Sequence, residues 1–376
     1  MVAVCIEELK KAFIKQMLTP VLLLALLLKA FLLLTNNAAP FFDYDQSLRK
    51  DYLACMEYLE GPATPEKSAF VQSMVLESKE SDIRIDEAVN MLLAGTISES
   101  EFGKILIAES EIQHRKPVVE HIAVQYEYVM ENDSDRYYID PLGWSSLLGK
   151  QQPDIILEVL ALVIGVVIFY VEDDSTMSSI NMSAKYGRKH LAIAKSITVF
   201  VYCLTVVSAF FGLDTIVTGA VYGLDGASYP IQSIPFYAHS TYNMSFAALL
   251  ACLYVLAVLG ALILASAMVL LFLISRSAVT SLVIGLSLSI FPPFVTNADD
   301  RLFRLPFPSA YLVGNGFFRG DSFFIYFDGT SRVTFHGLTV ITTAIVICLG
   351  FIAAFFMFST SIMMYANTRR GFQNNE

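Results

Sequence analysis

The histidines, cysteines and carboxylates that could do covalent chemistry stand at spacings no catalytic arrangement uses. Two imidazoles and a general base on one helix face require H-E-x-x-H, and the sequence contains none. His114 and His121 lie in an acidic segment, where they read as surface histidines, and Glu120 completes no ligand set with them. Gly226-Ala227-Ser228 begins as a nucleophile elbow does, but Pro230 replaces the glycine that the turn requires. Between Gly143 and Gly149 stand five residues where a phosphate-binding loop has four, and Gln151 replaces its Mg²⁺-binding hydroxyl. Of the five cysteines, Cys55 alone falls in the acidic segment, while Cys203, Cys252 and Cys348 sit in apolar runs. That scatter builds neither a disulfide framework nor a metal cluster. The reading is of a chain with no catalytic, cofactor-binding or metal-binding residues of its own.

The remaining chemistry is electrostatic, at a membrane. Lys29 and Glu158 each interrupt an apolar run at a similar expected depth. Charges inside a bilayer are costly, so each either snorkels to the nearby interface or the two form a direct pair. A polar connector begins Glu172-Asp173-Asp174-Ser175-Thr176-Met177 and ends Lys185-Tyr186-Gly187-Arg188-Lys189-His190, with Lys195 beyond. Asp173, Asp174 or Ser175 can cap a helix and meet the positive end of its dipole. Gly187 offers a stop, since glycine takes the left-handed conformation cheaply. Arg188, Lys189 and Lys195 can then hold the following run against anionic headgroups. Near 172–190 this describes a short interfacial helix; a plain solvated loop is the alternative.

The elements that must position these groups follow from hydropathy. Hydrophobic residues make up 55% of the 376-residue chain, which places it in the membrane class. Apolar runs at 18–34, 155–171, 191–212, 244–274, 278–295 and 338–364 reach or approach the ~20 residues that cross a ~30 Å hydrocarbon layer. The expected fold class is an all-α polytopic membrane protein of six transmembrane helices. Lys10, Lys11 and Lys15 precede the first run and no small-residue cleavage site follows Thr35, so that run is expected to be retained as a helix. The same lysines put the N-terminus on the cytoplasmic side, and Arg188, Lys189, Lys195, Arg276, Arg369 and Arg370 agree after successive crossings. Both termini are therefore expected in the cytoplasm, in a multi-pass protein of the cell membrane.

Three regions result: 1–35 as an N-terminal helix and first span, 36–152 as an extracytoplasmic helical domain inserted between spans one and two, and 153–376 as spans two to six. The insertion carries 21 acidic against 10 basic residues, a net of −11, whereas the whole chain carries −10. Such a surface disfavours nucleic acid. Thr64-Pro65-Glu66 predicts a helix start, and Ser98 through Glu101 has capping-box spacing. Gly61-Pro62 and Gly95 predict turns. Segment 213–243, with several glycines and prolines, predicts an irregular outer loop. Segment 296–337, dense in aromatics, predicts either an interfacial or re-entrant element or a loop with its own small core.

The connector resembles the coupling segment of ATP-binding-cassette type-2 permeases, in which E-x-x-x-G-M is followed by S-T-x-x-G-R and then x-L-x-x-x-K. The matching positions are Glu172, Met177, Ser183, Gly187, Arg188, Leu191 and Lys195; Thr176 replaces the family glycine and Ala184 the family threonine. Met56 to Gly61, Thr64 to Lys67, Gly95 to Glu101, Tyr138 to Trp144 and Pro230 to Ser233 resemble a bacterial branch with a large domain after the first span.

The resemblance implies a transport subunit and not an enzyme: two six-span halves, identical or different, form a path, and each docks a cytoplasmic ATPase that binds ATP and Mg²⁺. It assigns Glu172, Asp173 and the helix beyond them to the ATPase contact, Gly187 and Arg188 to the exit of that helix, and Lys195 to anchoring span three. The competing reading is a membrane sensor whose acidic domain, through Glu109, Glu111, Glu127 and Glu131, attracts a cationic ligand.

Overall fold

Every predicted apolar run begins or continues as a helix, and so does most of the acidic segment. The structure, a computed structural model, describes residues 2–15, 18–35, 40–131, 136–150, 153–173, 187–289, 307–321, 323–327, 331–335 and 338–367. The first region holds α1 (Val2–Lys10), a π-helical turn and α2 (Leu18–Thr35). The acidic domain follows with α3 (Gln46–Leu59), β1 (Gly61–Pro62), α4 (Pro65–Leu93), α5 (Glu99–Met130), β2 (Tyr137–Tyr138) and α6 (Pro141–Leu148).

Local signals set these helix ends. Thr64 caps α4 by accepting the Lys67 N–H at 3.3 Å, with Pro65 where a missing N–H does no harm. Ser98 and Glu101 complete the expected capping box of α5. Gly95, at φ +70°, turns the chain between α4 and α5, which pack as a long antiparallel hairpin. Val71 of α4 and Val118, Ile122 and Val129 of α5 close over Tyr52, Met56 and Leu59 of α3 to form the domain core. Gly61-Pro62 is not the predicted turn. The glycine's φ of +104° lets these two residues pair antiparallel with Tyr137 and Tyr138, and so close the root of the hairpin.

The helix bundle comprises α2, α7 (Ile155–Asp173), α8 (Gly187–Tyr222), α9 (Phe246–Ser275), α10 (Ala278–Ser289) and α12 (Val340–Asn367). Among the described residues, α2, α8, α9 and α12 are long and apolar enough to cross a membrane, while α7 and α10 contribute shorter apolar stretches. Central to the bundle is α9, a thirty-residue helix without a charged side chain, packed against α7, α8, α10 and α12. Small residues allow its close crossings: a Cβ on Gly165 of α7 would lie 2.4 Å from the carbonyl oxygen of Ala265. Such approach is how membrane helices gain dispersion contact in a solvent as apolar as they are.

Three sequence expectations need correction. Helix α8 runs past the predicted end at 212 to Tyr222, because Ile216, Val217, Ala220 and Val221 continue the apolar run and interior glycines cost only about 1 kcal/mol each. Where it is described, the aromatic segment has no separate core of its own and packs against the bundle. There α11 (Pro308–Val313) buries Tyr311, and Phe317 and Phe318 follow it into one core with α9 and α6. The all-α class is also modified: β3 (Phe323–Phe327) pairs with β4 (Ser331–Phe335), Phe323 opposite Phe335, in a run of aromatic and β-branched residues suited to a strand.

Candidate functional site

At the end of the bundle that carries the acidic domain, four charged side chains converge. Lys29 points from α2 and is only 4% exposed. Its ammonium donates to Asp154 Oδ2 at 2.5 Å and to Asp214 Oδ2 at 2.7 Å, and lies 4.9 Å from the centroid of the Phe210 ring. Lys150, just beyond α6, also pairs with Asp214. Asp154 does more than pair with Lys29, since its Oδ1 accepts the N–H groups of Ile156 and Leu157 and so caps α7. Two cations and two anions thus tie α2, α7 and α8 around a small cavity that Asn315 also lines.

This arrangement replaces the expected Lys29–Glu158 pair and equally the expected snorkelling. Lys29 is enclosed rather than drawn out to an interface, and its partners lie one turn before Glu158 on α7 and in the unforeseen extension of α8. Glu158 is 1% exposed, and Ser289 of α10 donates its hydroxyl to Oε1. Sequence inspection misses Asp214 because its segment reads as a loop. The signal is present all the same: a lone aspartate within Phe211–Val221, among residues that otherwise continue α8.

At the opposite end lie the described flanks of the predicted connector. Met177 and Ser183 fall outside the described residues. Glu172 and Asp173 form the last residues of α7, and Gly187 and Arg188 the first of α8; the residues between them, where the interfacial helix is expected, lie outside the described residues. Leu191 and Lys195 lie one and two turns further along, both buried. Lys195 is fully enclosed and does not reach a headgroup. Its ammonium donates to the Ile168 carbonyl at 2.6 Å, lies 3.6 Å from a Glu8 carboxylate oxygen, and stands 5.5 Å from the Phe169 ring centroid. One lysine therefore joins α8 to α7 and to the N-terminal helix α1. Tyr202 adds a second tie, donating to the Leu18 carbonyl at the start of α2.

In the acidic domain the charges largely satisfy one another. Arg84 grips Glu109 through two bonds of 2.7 and 2.9 Å, and its hydrogen bonds hold that carboxyl below the usual carboxylate range. Lys116 and Gln113 do the same for Asp82. Glu131 pairs with Arg136. His121 is half-buried rather than the fully exposed histidine expected. It sits among Phe41, Phe42 and Tyr52, its ring centroid 4.2 Å from that of Phe41, and burial lowers its pKa against the opposing pull of Asp140. Among the described residues no three His, Cys, Asp or Glu side chains converge as a bound metal would require.

Comparison with family models, with curated proteins and with solved structures found no match to this chain.

Proposed function

We propose that this chain is the permease subunit of an ATP-driven exporter of the ATP-binding-cassette type-2 class, moved by a separate cytoplasmic ATPase. In this reading α2, α7, α8, α9, α10 and α12 are the six spans, both termini are cytoplasmic, and residues 36–152 stand outside the cell membrane. A second permease half, identical or different, completes the path, and no covalent step belongs to this subunit. The observation that carries the reading is the spaced set Glu172, Met177, Ser183, Gly187, Arg188, Leu191 and Lys195 between two apolar helices.

The packing beside that segment supports the reading mechanically. Force applied between 173 and 187 enters α7 and α8 together, because Lys195 fastens the two helices within two turns of it. At the far end the same helices carry Asp154 and Asp214, which share the Lys29 ammonium. Nucleotide binding by the partner thus bears on a charge cluster about twenty helical residues away, on the order of 30 Å at ~1.5 Å per residue. Alternating access follows when that cluster loosens and re-forms.

Co-purification tests the reading. A nucleotide-binding subunit is expected to accompany the chain, and Gly187→Pro or Arg188→Glu is expected to weaken its docking by tenfold or so (about 1.4 kcal/mol) while membrane insertion survives. Labelling that puts Gly187 and Arg188 on the same face of the bilayer as residues 36–152 would refute it. So would unchanged docking in both variants.

A further inference from the structure

Among the described residues of the bundle, Lys29, Lys150, Asp154 and Asp214 compensate one another, and Glu158 stands apart from them. Its carboxyl is 1% exposed, it lies in the first turn of α7, and its hydrogen-bond partner among the described residues is the Ser289 hydroxyl. Lys29, the partner the sequence offers, already serves Asp154 and Asp214. Among the described residues, the elements packed against this part of α7 offer no cation in its place. Helices α9 and α10 contain no Lys, Arg or His; α9 presents only Cys252 and Tyr254 as titratable groups, and Tyr254 exchanges a hydrogen bond with Ser208. On α8, Cys203 is directed at the Ala261 carbonyl and Tyr202 at Leu18, while the basic groups of α8 lie at its opposite end.

An ionised carboxylate with a single hydroxyl donor is not sustained in such surroundings, where several kcal/mol of lost hydration would stand uncompensated. A neutral acid is. Asp154 stands one turn earlier on the same helix, its carbonyl accepting the Glu158 N–H at 2.9 Å, and its carboxylate borders the cavity whose rim holds the partly exposed Lys150. We propose that Glu158 is a proton-binding site within the helix bundle, held as the neutral acid and exchanging its proton with the domain-side solution past Asp154.

The step balances simply. A proton from water forms the O–H bond of the Glu158 carboxyl, and returning it leaves a carboxylate facing Ser289. That carboxylate needs water, which in this proposal comes from the cavity that Asp154 and Leu157 line on the preceding turn of α7. Entry there separates α7 from α10, which are otherwise in contact: a Cβ on Gly285 of α10 would lie 3.6 Å from Leu162 Cδ2 of α7. Proton occupancy accordingly favours the closed α7–α10 contact, and proton release favours its opening. Burial and hydrogen-bond partners carry this assignment, which stands or falls apart from the ATPase reading.

Infrared difference spectroscopy of the full chain in phosphatidylcholine nanodiscs tests it. At neutral pH the native protein is expected to show the carbonyl stretch of a buried carboxylic acid. That band should shift in D₂O, disappear in Glu158→Gln and move to higher frequency in Ser289→Ala, which keeps the acid but removes its hydrogen bond. Asp154→Asn, which retains capping ability, should slow the exchange into D₂O by tenfold or more. Identical carbonyl regions in the native protein and Glu158→Gln would show an ionised Glu158 and overturn the proposal. An unchanged exchange rate in Asp154→Asn would overturn the route. Should Glu158→Gln fail to insert, an unmoved band in Ser289→Ala would be equally decisive against it.

Discussion

Single side chains decide most at the two ends of the bundle, and they do so by compensation. Lys29 neutralises Asp154 and Asp214 together, so removing it leaves the buried Asp214 with only Lys150 and the partly exposed Asp154 without its lysine. Breaking a buried pair from one side typically costs about 3–5 kcal/mol. Lys29→Met is therefore expected to lower thermal stability in detergent far more than Lys10→Met, whose partner Glu7 is exposed. His121 makes a prediction in the pH dimension. Its folded-state pKa lies below the unfolded value, so the folded domain binds fewer protons and loses stability as pH falls through about 6.5. Chemical denaturation at successive pH values should show the unfolding free energy of the native protein falling over that interval, and His121→Gln should remove the fall. Sequence alone marks Lys29 and Glu158 as exceptional, because a charge within an apolar run is visible without any structure. It does not reveal their partners. Those depend on which helix faces meet, and on an α8 that continues beyond the glycine at 212.

Elements are legible where a local rule fixes them. Thr64-Pro65 and Ser98 to Glu101 announce the starts of α4 and α5 because caps act over four residues and need nothing from the rest of the fold. The pairing of Gly61-Pro62 with Tyr137-Tyr138 is hidden for the opposite reason, since its partners lie far apart in the chain. Crossings between helices are likewise a property of pairs. Gly165 sits against Ala265 so closely that Gly165→Val must push apart two backbones, an overpacking cost on the order of 1–3 kcal/mol. Its effect should appear as a lower unfolding temperature, whereas the same change at Gly212, which has nothing within 4 Å of the added carbon, should be tolerated. At the other end of the bundle, Lys195→Met removes the bond to Ile168 and the approach to Glu8. Faster hydrogen exchange in α1, with α9 unaffected, is the expected signature.

Across the whole molecule, the acidic domain and the bundle are joined by bonds that reach between distant segments. Tyr128 at the end of α5 donates to the Gln232 carbonyl at 2.6 Å, and the Tyr137 N–H donates to Ser233 Oγ at 2.9 Å. Trp144 of α6 donates to the Asp225 carbonyl, and Tyr237 to the Leu148 carbonyl. The Tyr128 phenol, enclosed at that junction, is pushed up to about 12 by burial. The root of the α4–α5 hairpin is thus clamped to the link between α8 and α9, while its tip at Gly95 extends away. With thirty-two residues in α5, the arm is about 48 Å long at ~1.5 Å per residue. Such a cantilever multiplies what happens at its base: a tilt of about 5° sweeps the far end through roughly 4 Å on that length. Fluorophores placed at Thr96 and on the bundle of the same chain would therefore register rearrangements too slight to see among the bundle helices themselves.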